Sequence, residues 1–253
     1  MIAPMSQLKN GVVLAEIGSH SDGPWCARHG AGSALVVLGT FIVDACDDVP
    51  YNPDFVFKPG RANYGDYLSE HVAAARDSGA AVGVSVVSVN LGDTIDFLLA
   101  AEEAGADYLS LCIHSSMEMF VSEGLGQALL RRENWPNLEK QVTTILEATD
   151  RPFIPKFGVS GGDDAEQAVE VMAGVGVNIF HVNVGDAPSE QGRQVINRLR
   201  RPERVLIIGG GIRTPEQARQ VIATGADAVA VATAAMEDPQ LCGRIQAELQ
   251  ESC

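Results

Sequence analysis

Thr224-Gly225-Ala226-Asp227-Ala228-Val229-Ala230-Val231-Ala232 runs from the end of a helix into a buried strand with one glycine at the joint. A glycine in that place supplies the positive φ that a helix C-cap demands. The small and β-branched run behind it, with no polar alternation, is a strand covered on both faces, as in a parallel sheet. The same pattern recurs upstream as Ala104-Gly105-Ala106-Asp107 before Tyr108–Ile113. Shorter versions are His29-Gly30-Ala31 before Ala34–Leu38, Ser78-Gly79-Ala80 before Val82–Val87, and Val175-Gly176-Val177 before Asn178–Val182. With Val12–Glu16, Pro152–Lys156 and Val205–Ile208, the expected strands number eight.

Helix starts lie between these strands. Thr214-Pro215-Glu216-Gln217 has an N-cap, a proline at the first helical position and a capping box, and Asp163 with Glu166 forms a second box. Repeated strand–helix units with right-handed crossovers close into a barrel. The expected fold is therefore α/β, a (β/α)₈ TIM barrel, with residues 1–253 as a single domain. A doubly wound open sheet is the alternative, but Gly18-Ser19-His20-Ser21-Asp22-Gly23 does not supply its usual GxGxxG. Two irregular loops, 40–62 and 114–134, are expected on the side of the barrel where chemistry occurs. Within the first, Phe55-Val56-Phe57 reads as a contact in a homo-oligomer or as a lid over the ligand.

A net charge of −15 opposes general polyanion binding, because phosphate backbones are repelled at long range. No apolar run approaches the roughly 20 residues of a membrane helix, and Met1–Asn10 lacks the features of a signal peptide. A cytoplasmic protein with free thiols is expected from five cysteines (Cys26, Cys46, Cys112, Cys242, Cys253) without CxxC spacing. Cys26, His29, Cys46, Cys112, His114 and Ser115 match no standard metal motif, so no metal is assigned. Arg193, Arg198, Arg200, Arg201 and Arg204 are expected to form a solvated basic end on the face away from the site.

The strongest chemical signal is Ile207-Ile208-Gly209-Gly210-Gly211-Ile212-Arg213-Thr214. Loops after the last two strands of such barrels often bind phosphate, and glycines let backbone amides approach the anion. Lys156 ends an otherwise apolar fifth strand and should point into the barrel mouth, toward a flavin, an enolate or a carbonyl, or else support a neighbouring acid. His181 and Asn183 alternate onto one face of the sixth strand, placing an imidazole there for proton transfer or for a structural hydrogen bond. Cys112, His114 and Ser115 end the fourth strand.

From the fourth strand onward, the order of segments resembles the dihydrouridine synthase-like FMN-binding barrels. The resemblance rests on Ala104–Asp107, Gly124–Leu130, Pro155-Lys156, Phe180-His181-Val182, Gly209–Ile212 and Gly225–Pro239, about half the chain, with a looser match at Leu14–Ile17. It implies FMN as cofactor, held by Ala15, Lys156, His181, Gly210, Gly211, Ala232 and Thr233. The family's catalytic cysteine position is Ser115 here, a much weaker acid. Its glycine–arginine after strand eight is Ala232-Thr233, which forfeits a bidentate cation. The chain also ends one helix after the eighth strand, without a tRNA-gripping helical domain, so tRNA is not the expected substrate.

Three readings follow. The first is an FMN-dependent oxidoreductase acting on a small molecule, with Lys156 and His181 at the ring and His114, Ser115 or Cys112 giving a proton. The second is a flavin-free lyase, isomerase or synthase on a phosphorylated metabolite, with Lys156 as Schiff base or enolate stabiliser and Glu16 as acid or base. The third is a non-catalytic barrel that binds a flavin or phosphate compound.

Overall fold

The computed structural model describes residues 5–45, 49–159 and 163–251. Nine parallel strands follow one another: β1 (Gly11–Leu14), β2 (Leu35–Val43), β3 (Val56–Phe57), β4 (Ala81–Val87), β5 (Tyr108–Cys112), β6 (Phe153–Gly158), β7 (Ile179–Asn183), β8 (Val205–Gly209) and β9 (Ala228–Val231). Each neighbour pair is hydrogen-bonded in the order β1-β9-β8-β7-β6-β5-β4-β2-β3, and β1 also pairs with β2. That last pairing closes the sheet, and the two-residue β3 is an addition outside the ring. Eight strands thus form the expected (β/α)₈ barrel.

The helices packed around it are α1 (Gly23–His29), α2 (Gly65–Ala75), α3 (Leu91–Glu103), α4 (Glu118–Val121), α5 (Trp135–Ala148), α6 (Asp163–Gly174), α7 (Glu190–Leu199), α8 (Pro215–Thr224), α9 (Thr233–Glu237) and α10 (Leu241–Glu251). Thr214 caps α8 as its sequence predicts, its hydroxyl accepting from the Gln217 amide. The Asp163 side chain of the second capping box lies outside the described residues, as do Cys46 and Cys253. No described helix is long and apolar enough to cross a membrane.

The repeated Gly-Ala-Asp segment does the same work in both halves. Gly105 and Gly225 adopt φ of 92° and 115°. The following aspartates each clamp the start of the preceding strand. Asp107 Oδ2 accepts from Val82 N at 2.9 Å, and Asp227 Oδ2 accepts from Leu206 N at 2.9 Å. Their own amides donate back to the Val82 and Leu206 carbonyls.

Several expectations need correction. The stretch 40–62 is only partly irregular: β2 continues through Val43, and β3 pairs alongside Ile42 and Val43. The cause is an aromatic cluster. Phe41 packs on Phe55 and Phe57 with ring centroids 5.1 and 5.8 Å apart, and Tyr64, Tyr67 and Phe97 complete it. Phe55 and Phe57 are 1% and 8% exposed, so this segment is core rather than lid or subunit contact. Loop 114–134 is likewise ordered, by α4 and two 3-10 turns. The arginine cluster is not simply solvated either. Arg193, Arg198 and Arg201 hold Glu190, Glu166 and Glu170, while Arg204 is buried between Glu170 and the Phe180 ring.

If the aspartate clamp holds the sheet, Asp227→Ala should cost about 1.5–3 kcal/mol, the range for a hydrogen bond to a charged group. Urea denaturation reads this as a lower midpoint with an unchanged slope. An unchanged midpoint would contradict the clamp.

Candidate active site

Strand register gathers the polar side chains at the C-terminal end of the barrel. Lys156 on β6 stands opposite Cys112 of β5 and His181 of β7. It does not end its strand, which continues to Gly158. Its ammonium, nearly buried, lies 3.1 Å from Glu16 Oε1 and donates to the Glu16 main-chain oxygen at 3.3 Å. Glu16 Oε1 also accepts from the Ser85 hydroxyl at 3.1 Å, and Ser85 is 3.3 Å from the Thr40 hydroxyl. The lysine therefore supports a neighbouring acid and faces the mouth at the same time.

The cavity it faces has about 190 Å³ open to the centre of a water molecule. Its walls are Ala15, Lys156, His181, Asn183, Gly185, Gly209, Gly210, Gly211, Ile212, Arg213, Ala230, Val231, Ala232, Thr233 and Ala234. Lys156, His181 and all the expected cofactor-side residues (Ala15, Gly210, Gly211, Ala232, Thr233) thus share one cavity. Asn183, on the same face as His181, uses its side-chain oxygen to hold the Gly185 amide at 2.9 Å.

Glycine is needed sterically at the turn. Gly210 and Gly211 have φ of 113° and 68°. A Cβ on Gly210 would lie 2.7 Å from the Gly185 carbonyl oxygen, and one on Gly211 2.9 Å from Asp186 Oδ1. The amides of Gly210 and Gly211 donate to no group among the described residues, although the Gly210 carbonyl accepts from Ala187 N.

Arg213 was not singled out from the sequence, although it stands two residues after the glycine run. It is exposed on the cavity wall and forms no ion pair among the described residues. Its amide is anchored to Gln217 Oε1 at 2.8 Å. Glu16 as the partner of Lys156 was equally hidden, because the two are 140 positions apart.

The electrostatics divide the site. Burial, and then the Lys156 charge, push the His181 pKa well below its ordinary 6.5, so the ring is neutral near pH 7. His114 is shifted down for the same two reasons. Burial raises the Cys112 thiol, making it a poor acid even beside Lys156. Cys112, His114 and Ser115 do not line the cavity. His114 stands against Gly158, where a Cβ would lie 2.6 Å from its Nδ1. The Ser115 hydroxyl accepts from Met117 N at 3.4 Å, and its carbonyl holds Gln127 N, so it shapes a turn. Among the described residues, no group of three or more His, Cys, Asp or Glu side chains is placed to hold a metal. Cys26 contacts the Val37 carbonyl and His29 the Ala235 carbonyl.

Comparison with known proteins matches residues 177–253 to the family described as histidine biosynthesis protein. Imidazole glycerol phosphate synthase subunit HisF of Bifidobacterium longum is 36% identical over 87 residues, 33% of this chain and 34% of that protein. Geranylgeranylglyceryl phosphate synthase of Methanopyrus kandleri is 36% identical over 72 residues, 28% of this chain and 30% of that protein. The matches therefore span about a third of the length of these curated relatives. The family match includes His181, Gly210, Gly211, Arg213 and Thr233, but neither Glu16 nor Lys156. Among solved structures, DHODH of Eimeria tenella in complex with ferulenol superposes with a TM-score of 0.72 at 17% identity, covering 96% of this chain and 81% of that one. Its ligand-free form gives 0.69 at 18%, covering 95% and 83%. This likeness is one of fold.

A buried neutral His181 links folding to pH. Its pKa is lower in the folded chain than in the unfolded one, so below about 6.5 the unfolded state takes up the extra proton. Stability should fall with decreasing pH by up to about 1.4 kcal/mol per unit from this group. His181→Asn should flatten that part of the profile in chemical denaturation at pH 5 to 7. An equally steep profile in the variant would place the acid sensitivity elsewhere.

Proposed function

We propose that this chain is a barrel enzyme acting on a phosphorylated small molecule, as a lyase, isomerase or synthase. The observation that carries it is one cavity joining an open glycine turn and Arg213 to a buried Lys156–Glu16 pair. The phosphate would take the amides of Gly210 and Gly211, the Thr233 hydroxyl and the Arg213 guanidinium. Its carbon skeleton would then reach toward Lys156 and His181.

At that end the Lys156 ammonium opposes negative charge developing on a carbonyl oxygen. Transfer of its proton to Glu16 Oε1, 3.1 Å away, would free the amine to add to a carbonyl carbon, with loss of water to give a Schiff base. Neutral His181 is suited to pass a proton to or from the ligand. The curated relatives support the phosphate part of this reading, since both are named as phosphate synthases.

A second reading keeps the same anion site and gives it to FMN, in an oxidoreductase acting on a small molecule. It is favoured by Lys156 and His181 standing side by side in register, as the dihydrouridine synthase-like resemblance implies. The phosphate end fits that cofactor. The ring end fits it poorly, because the ammonium is already matched by Glu16. The cavity of about 190 Å³ is also below the roughly 300–1,000 Å³ of sites for drug-sized ligands. Neither reading takes tRNA as substrate, given a net charge of −15 and arginines engaged with Glu166, Glu170 and Glu190.

Titration calorimetry with inorganic phosphate, followed by the visible spectrum of the purified protein, tests both. Phosphate should bind, and Arg213→Ala should weaken it roughly tenfold or more, as expected for a charge-assisted contact of about 1.5–3 kcal/mol. Flavin bands at about one FMN per chain would transfer the site to the second reading. A protein that binds neither phosphate nor flavin would contradict both, and ligand retention without any turnover would leave a binding barrel.

A further inference from the structure

A second, smaller cavity lies deeper in the barrel, on the N-terminal side of the first. Val13, Ile154 and Ile207 in its wall each precede by two residues a wall residue of the outer cavity, Ala15, Lys156 and Gly209. Its polar lining is Glu16, Tyr108, Ser110 and His181. All four are buried, between 1% and 5% exposed.

Two of them present an unsatisfied atom. Glu16 Oε2 and the Tyr108 hydroxyl are buried with no hydrogen-bond partner among the described residues. Leaving such a group unpaired in the interior is costly, and more so when it is charged. The two do not bond directly to each other, although both line the same small space. The volume there open to the centre of a water molecule is about 10 Å³. One buried water needs roughly 10–15 Å³ by this measure and two to four polar partners. The cavity meets both requirements and is too small for anything larger.

We propose that this cavity is built to hold one water, and that Tyr108 is a positioning residue for the Glu16–Lys156 pair through it. The water donates to Glu16 Oε2 and accepts from the Tyr108 hydroxyl. Its second hydrogen turns to Ser110 or to the His181 ring. Glu16 then has both carboxylate oxygens engaged, Oε1 by Lys156 and Ser85 and Oε2 by the water. This fixes the carboxylate plane against the ammonium. His181 lines both cavities, so with its second hydrogen on that ring the same water connects the ligand space to Glu16 by a hydrogen-bonded route. The inference stands whichever ligand occupies the outer cavity.

Atomic-resolution diffraction of the native protein and of Tyr108→Phe, with nitrogen-15 NMR of Lys156 Nζ and the His181 ring, tests it. The native crystal should show one ordered water within hydrogen-bonding distance of Glu16 Oε2 and Tyr108 Oη. In Tyr108→Phe that water should be lost or displaced, and the Lys156 and His181 signals should move although both residues keep their places. Ser110→Ala provides the same readout with a smaller change should Tyr108→Phe fail to fold. An interior without ordered water, a Tyr108 hydroxyl bonded directly to Glu16, or nitrogen signals indifferent to the variant that folds would overturn the proposal.

Discussion

Taking an ammonium and a carboxylate out of water costs several kcal/mol per ion, and their attraction offsets this only where the geometry is good and the remaining polar atoms are engaged. Lys156 and Glu16 are held under that constraint at the mouth of the barrel. Nζ reaches both a carboxylate oxygen and the main-chain oxygen of the same glutamate, and Ser85, next to Thr40, supports the carboxylate from a third direction. The pair ties β6 to the segment leaving β1, on different sides of the ring. Removing either partner would leave an uncompensated buried charge, so the two behave as a unit and the sheet around them must be accurate.

That accuracy comes from small inward residues. Gly83, Ser85 and Ser110 on β4 and β5, and Gly209, Ala228 and Ala230 on β8 and β9, leave room for polar groups inside the ring. A Cβ on Gly83 would already touch the Leu35 and Val37 side chains at 3.4 and 3.5 Å. Larger residues fill the other positions, and the helices cover the outer faces. The charge pattern follows the same division. The floor of the site is a neutral pair, whereas the rim carries Arg213 without a counter-ion among the described residues. With a net charge of −15, long-range attraction does not draw an anion in. The field of distant carboxylates is screened beyond about 8 Å in physiological salt, so local donors decide binding.

The barrel was legible because its joints are local. Gly105-Ala106-Asp107 and Gly225-Ala226-Asp227 each encode a helix end, a strand start and a carboxylate clamp within a few residues. Period-two alternation likewise placed His181 and Asn183 on one face, and the strand context put Lys156 in the mouth. What escaped was long-range or two-sided. Nothing local in Phe55-Val56-Phe57 separates an exposed apolar loop from one seated on Phe41 and Phe97. Arg204 reads as one more basic residue until Phe180 and Glu170 are seen to enclose it. Cys112 is reactive on paper but sits where burial suppresses its thiolate. The partner of Lys156 could not be chosen among many carboxylates by spacing alone.

The central claim is that an anionic group of the ligand occupies the Gly210–Gly211 turn next to Arg213, with Lys156 and Glu16 below. A crystal grown or soaked with pyrophosphate tests it most directly. The account predicts the anion in that cavity, accepting from the Gly210 and Gly211 amides and from Arg213, with the Lys156–Glu16 pair intact. Pyrophosphate bound elsewhere on the barrel, with this turn left to solvent, would contradict it.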